Sequence, residues 1–151
     1  MRLHWVIPCL TSSVDRFLNT LTITHMLEQI QVQAETPDPS TEAPVFINPG
    51  LHVVGFWSRT NVDMPETFEA RCSLVSPRKR ILVTQQLTID LSTMKRVRHI
   101  TRFGVLPYVG PGDYTFVISA QIGQRWRKMG SATLEVTKAE KHRNQDQSKT
   151  H

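Results

Sequence analysis

Apolar and polar residues alternate with a period of two along most of the chain. Phe68, Ala70, Cys72 and Leu74 alternate with Glu69, Arg71 and Ser73, and Leu87, Ile89 and Leu91 with Thr88 and Asp90. Further on, Tyr114, Phe116, Ile118 and Ala120 alternate with Thr115, Val117 and Ser119, and Leu134 and Val136 with Thr133, Glu135 and Thr137. Successive side chains of an extended chain point to opposite faces. Each run therefore offers one apolar face and one wetted face, the pattern of antiparallel sheets half covered by a core. Turn residues separate the runs: Pro49-Gly50, Pro77 with Arg78-Lys79-Arg80, Gly110-Pro111-Gly112-Asp113, and Gly123-Gln124, where glycine supplies the positive φ of a tight hairpin. The spacing predicts an all-β fold, an antiparallel β-sandwich of about eight strands at 3–10, 21–33, 51–60, 67–76, 81–91, 98–107, 114–122 and 126–137.

Three segments read differently. Val14, Phe17, Leu18 and Leu21 have helical spacing, but the β-branched run Leu21-Thr22-Ile23-Thr24 follows at once, so 12–19 is expected to be a turn or one helical turn. Residues 34–48 hold three prolines, two glutamates and an aspartate, and read as a long loop crossing over one end of the sandwich. The stretch 139–151 has no apolar residue beyond Ala139 and reads as a disordered basic tail, leaving 1–138 as one domain.

Composition narrows the class. A chain of 151 residues, 39% hydrophobic and 21% charged, builds one ordinary core. Every apolar run is broken before the roughly 18 residues that a membrane helix needs. The run Leu3–Leu10 ends in Val6-Ile7-Pro8-Cys9, but it is short for a lipoprotein signal and Pro8 stands where a small residue belongs. A buried first strand is the expectation, in a cytoplasmic protein. Cys9 and Cys72, each within an apolar run, are expected to be free buried thiols; a Cys9–Cys72 bridge is the alternative if the chain is exported. The net charge is +5, and the tail supplies two of those charges through Lys138, Lys141, Arg143 and Lys149 against Glu140 and Asp146. The remainder predicts no strong field for steering nucleic acid.

Gly55-Phe56-Trp57, the run Thr67–Pro77, Leu106-Pro107 and Pro111-Gly112-Asp113-Tyr114-Thr115-Phe116, together with Leu21-Thr22-Ile23-Thr24 and Ile30, carry a resemblance. Over residues 3 to 137 the chain resembles a family of small bacterial β-sandwich proteins of unknown function. The resemblance implies an immunoglobulin-like sandwich and transfers no catalytic residue. The Arg78-Lys79-Arg80 turn and the basic tail depart from the family pattern.

Candidate chemistry is sparse. Histidines 4, 25, 52, 99, 142 and 151 show no metal-ligand spacing and are expected at the surface or at sheet edges, with His25 partly buried. Ser12-Ser13 lacks the context of an activated nucleophile, and Asp63, Glu66 and Glu69 read as wetted loop acids. Gly110-Pro111-Gly112 has a proline where a phosphate loop needs an N–H. No cofactor, metal or catalytic residue is assigned. Trp5, Trp57 and Trp126 read as core or sheet-rim residues. The expected function is non-enzymatic, a protein-interaction or self-associating module. The alternative is a nucleic-acid or phosphate-binding module whose basic turns converge, using Arg78, Lys79, Arg80, Lys95, Arg96, Arg98, Arg102, Arg125, Arg127 and Lys128.

Overall fold

The computed structural model of the chain describes residues 1–39 and 43–140. Among these are eleven strands and no helix: β1 (Arg2–Asp15), β2 (Thr20–Met26), β3 (Gln29–Val32), β4 (Val45–Ile47), β5 (Leu51–Ser58), β6 (Glu66–Val75), β7 (Ile81–Leu91), β8 (Arg96–Phe103), β9 (Leu106–Tyr108), β10 (Gly112–Ile122) and β11 (Arg125–Lys138). They form a four-stranded sheet in the order β2-β1-β5-β8, a five-stranded sheet β3-β11-β10-β6-β7, and the pair β4-β9. All neighbours are antiparallel except β3, which runs parallel to β11. None of the described residues forms a helix long and apolar enough to cross a membrane.

The core lies between the two large sheets, where the inward positions of the period-two runs meet. Leu51, Val53, Trp57 and Phe103 come from one side, and Phe68, Leu74, Tyr114, Phe116, Ile118 and Leu134 from the other. Trp57 meets Phe68 edge-on at 5.2 Å between centroids, and Phe103 meets Phe116 at the same separation. Burying each such side chain contributes about 1.5–3 kcal/mol. The Tyr114 hydroxyl accepts the Val109 N–H and donates to the Gly110 carbonyl, both at 2.8 Å, which fixes the turn into β10. The hairpin after Ile122 closes through Gly123 at φ +60°, the left-handed conformation its sequence predicts.

Several boundaries depart from the sequence reading. The segment 12–19 is not a helical turn. β1 runs on to Asp15, whose carboxylate accepts the N–H groups of Phe17 and Leu18 and so stops the chain as a tight turn. The single strand expected at 21–33 is two strands in different sheets, and the strand expected at 98–107 divides into β8 and β9. The 34–48 loop contains β4, which pairs with β9. These divisions account for eleven strands rather than eight. Ala139, expected at the start of the tail, donates its N–H to Val32; the tail from 141 onward lies outside the described residues.

Registers fix which features share an end. Thr115 pairs with Val75 and Ala120 with Ala70, so β6 and β10 run in opposite directions. The Arg78–Arg80 turn thus lies where β10 begins and β11 finishes, with Pro77 against Gly112. The β10–β11 hairpin, with Arg125, Arg127 and Lys128, lies at the other end beside the start of β6. Lys95 and Arg96 also lie at that end, level with Ser58.

Candidate functional site

The two large sheets differ in charge. The strands β1, β2, β5 and β8 carry Arg2, Arg96, Arg98 and Arg102 against the single carboxylate of Asp15. The five-stranded sheet balances Arg71, Arg125, Arg127, Lys128 and Lys138 against Glu66, Glu69, Asp90, Asp113 and Glu135. Net charge averaged over the chain conceals this separation.

The arginines of the four-stranded sheet share its outer face. Trp57, Val97 and Phe103 face the core, so their strand neighbours face out, and cross-strand partners lie on one face. One row is Arg2–Ser58–Arg96, the next is Trp5–Phe56–Arg98, a third Ile7–Val54–Ile100, and a fourth Cys9–His52–Arg102. A bulge at His4 slips the register between Leu3 and Trp5 and adds a further ring to this face. Trp5 stacks on Phe56 with centroids 5.4 Å apart and planes 27° apart, and His4 lies 5.2 Å from the same ring. The Arg98 guanidinium lies 5.8 Å from the Phe56 centroid, while His4 Nε2 and Ser58 Oγ are 2.7 Å apart.

The lower rows are covered. Val54 and Cys9 point away from the core yet are fully buried, so something must lie on them. Hydrogen bonds identify it as the β1–β2 hairpin folding back over its own sheet. The N–H of Ser12 donates to His52 Nδ1 at 3.1 Å and Ser12 Oγ lies 2.9 Å from the same atom. At the hairpin tip, Arg98 Nη1 donates to the carbonyl and the side-chain oxygen of Asn19, both at 3.2 Å. Burial lowers the pKa of His52, and the charge of Arg102 adds to that. With the Ser12 amide and hydroxyl both at Nδ1, His52 serves as the pin of the hairpin. The tip beyond this pin leaves Phe17 95% exposed and Leu18 64% exposed, beside Arg98 and its aromatic row.

Other candidates are placed as follows. The basic residues do not converge: Arg78, Lys79 and Arg80 form one turn at one end, and Lys95, Arg96, Arg125, Arg127 and Lys128 lie at the other. The Arg71 guanidinium covers Trp126 at 4.5 Å on the outer face of the five-stranded sheet. Glu66 pairs with the Met1 ammonium at 2.9 Å, and Glu69 accepts a hydrogen bond from Thr88. No group of metal-holding side chains occurs among the described residues. A cleft of about 590 Å³ opens between β3, β4 and the middle of β1, lined by Leu10, Leu27, Ile30, Val32, Ile47 and Pro49 together with polar Gln31, Gln33, Thr36 and Asn48.

Two histidines correct the sequence reading. His25 is exposed, at φ +53°, instead of partly buried. His99, expected at the surface or an edge, is buried against Gly55 and accepts the indole N–H of Trp57 at Nδ1, 2.8 Å away. Its Nε2 is buried without a hydrogen-bond partner, and burial depresses its pKa to about 4.

Both cysteines are free and buried, and burial pushes the Cys72 thiol up to about 12. Thiolate being the reactive form, neither should react with a thiol reagent at neutral pH on the timescale of a minute-long assay of the folded protein. Cys9, beneath the hairpin only, should label before Cys72. Simultaneous labelling of the two would show that the hairpin does not open by itself. Comparison of the chain with protein-family models, with curated proteins and with solved structures finds no match in any of the three.

Proposed function

We propose that this is a non-enzymatic, immunoglobulin-like protein-binding domain that self-associates through its β1–β2 hairpin. The immunoglobulin-like reading is supported by the strand orders, by the parallel seating of β3 on β11, and by the hydroxyl of Tyr114 tying back to the chain upstream. Fold alone assigns no function. The observation that carries the proposal is an apolar tip displayed on a fixed turn. Phe17 is 95% exposed although Asp15 and Arg98 hold the turn at both of its sides.

The neighbouring edge suits the same role. β2 is an edge strand, and Thr20–Met26 contains no lysine, glutamate or proline to discourage pairing. A second copy aligned antiparallel about Thr22 opposes no like charges and brings the exposed Met26 of one copy toward the exposed Leu18 of the other. Sedimentation equilibrium is expected to show reversible dimers at tens of micromolar protein. The double substitution Phe17→Ser with Leu18→Ser should leave the circular dichroism unchanged and the protein monomeric. A wild type that stays monomeric at ten times that concentration would overturn self-association.

A further inference from the structure

We infer that the outer face of the four-stranded sheet binds single-stranded nucleic acid, with a base stacked at the Trp5 end of the Trp5–Phe56–Arg98 row and phosphates held by Arg2 and Arg96 in the adjacent row. This site lies on a sheet face, apart from the loops and turns where the basic residues cluster along the sequence.

Three features of the face combine. First, it gathers π groups into one offset stack: Trp5 lies on Phe56, and the Arg98 guanidinium lies over the same ring, all three half-buried. Phe56 is flanked by Trp5 and Arg98, so a base extends this stack from its Trp5 end, in the manner of unstacked bases on sheet aromatics. Second, the adjacent row places Arg2 and Arg96 on either side of Ser58, one residue pair farther along the strands, roughly 7 Å away. That separation matches the reach from a base to its phosphate. Third, residues 2–9 of β1 and the whole of β5 and β8 contain no carboxylate. Arginine suits the purpose, because its planar fork binds phosphate bidentately and stacks on bases.

The width of the open face selects a single strand. The hairpin covers the rows of Val54 and His52, and its tip stops at Arg98. What remains is the rows of Ser58 and Phe56, a half-buried strip edged by the exposed Arg2 and Arg96 that offers no groove for a duplex. An acidic protein segment shares the charge complementarity but makes no use of the stacked rings, so ring dependence distinguishes the two ligands.

The test is fluorescence anisotropy with labelled oligothymidylate and oligouridylate of about 12 nucleotides, measured across a salt series. Micromolar binding near 0.15 M salt is expected, with log K falling, for each tenfold rise in salt, by roughly 0.7 per phosphate neutralised. Arg2→Ser with Arg96→Ser should reduce that slope by about 1.4. Phe56→Leu should weaken binding about tenfold while leaving the thermal midpoint within a few degrees, since stacking on a base contributes about 1–3 kcal/mol. Arg78→Ser with Lys79→Ser and Arg80→Ser, at the far end of the sheets, should change neither quantity, and Phe17→Ser with Leu18→Ser should retain binding whatever it does to self-association. Absence of binding near 0.15 M salt, equal affinity for polyglutamate, loss of binding in the Arg78–Arg80 variant, or binding that Phe56→Leu leaves unaltered would each overturn the inference.

Discussion

Gly55→Ala is expected to destabilise the fold by about 3 kcal/mol, a large effect for a single methyl group. A Cβ built on Gly55 falls 2.1 Å from Cε1 and 2.7 Å from Nδ1 of His99. The ring has little freedom to retreat, because Nδ1 accepts the Trp57 indole N–H and the imidazole is buried within the core. The backbone of Gly55 asks for no left-handed φ, so crowding alone produces the penalty. Chemical denaturation of Gly55→Ala, His99→Ala and the double variant would isolate it. Removing the ring first should make the glycine substitution nearly harmless, with a coupling of about 1–3 kcal/mol between the two sites. Additive effects would show that the methyl group clashes with something other than His99.

Acid should weaken the protein well before its carboxylates titrate. The unfolded His99 imidazole takes up a proton near pH 6.5, whereas burial lowers that of the folded protein to about 4. Between these values the unfolded state binds more protons than the native state, so stability declines as pH falls through the window and is constant above it. A shift of this size corresponds to about 3 kcal/mol lost by pH 4. Burial of His52 adds a smaller loss of the same sign. Denaturant midpoints measured from pH 7.5 to 4 should show the decline, and His99→Asn should flatten most of it while its side-chain oxygen still accepts the Trp57 indole N–H. An unchanged slope in His99→Asn would assign the acid sensitivity to other groups.

Period two made the long strands legible. β6, β7, β10 and β11 are half-covered strands with an apolar side, and residue alternation is all that such strands require. β4 and β9 have three residues each and are held chiefly by one another, so neither is long enough to show a period. The end of β1, Thr11-Ser12-Ser13-Val14-Asp15, carries little apolar signal because β2 pairs with it in a hairpin that lies outside the main core. The burial of His99 was visible in principle, since it occurs on the inward parity with Val97, Thr101 and Phe103.

The candidate face was less legible for a different reason. Nearness along the chain places the basic residues in turns, whereas the structure assembles them by face and row. Arg96, Arg98 and Arg102 share one parity of β8, which alternation alone indicates. Their aromatic companions Trp5 and Phe56 are 51 positions apart, and only the register of β1 on β5, shifted by the His4 bulge, brings them into contact.

The opposed ends of β1 and β11 have a mechanical consequence. β1 begins beside Glu66 and β11 finishes beside Gly112, at the far end of the strands. Tension applied between those two points runs along the strands and loads the β1–β5 and β10–β11 ladders in shear. Many hydrogen bonds must then yield together, since none can be unzipped singly from an end. The β3–β11 pair shares that load, with the Ala139 N–H held by Val32 at its last rung. The domain is therefore built to resist extension along its strand axis far better than peeling of the β2 edge, whose ladder opens one bond at a time.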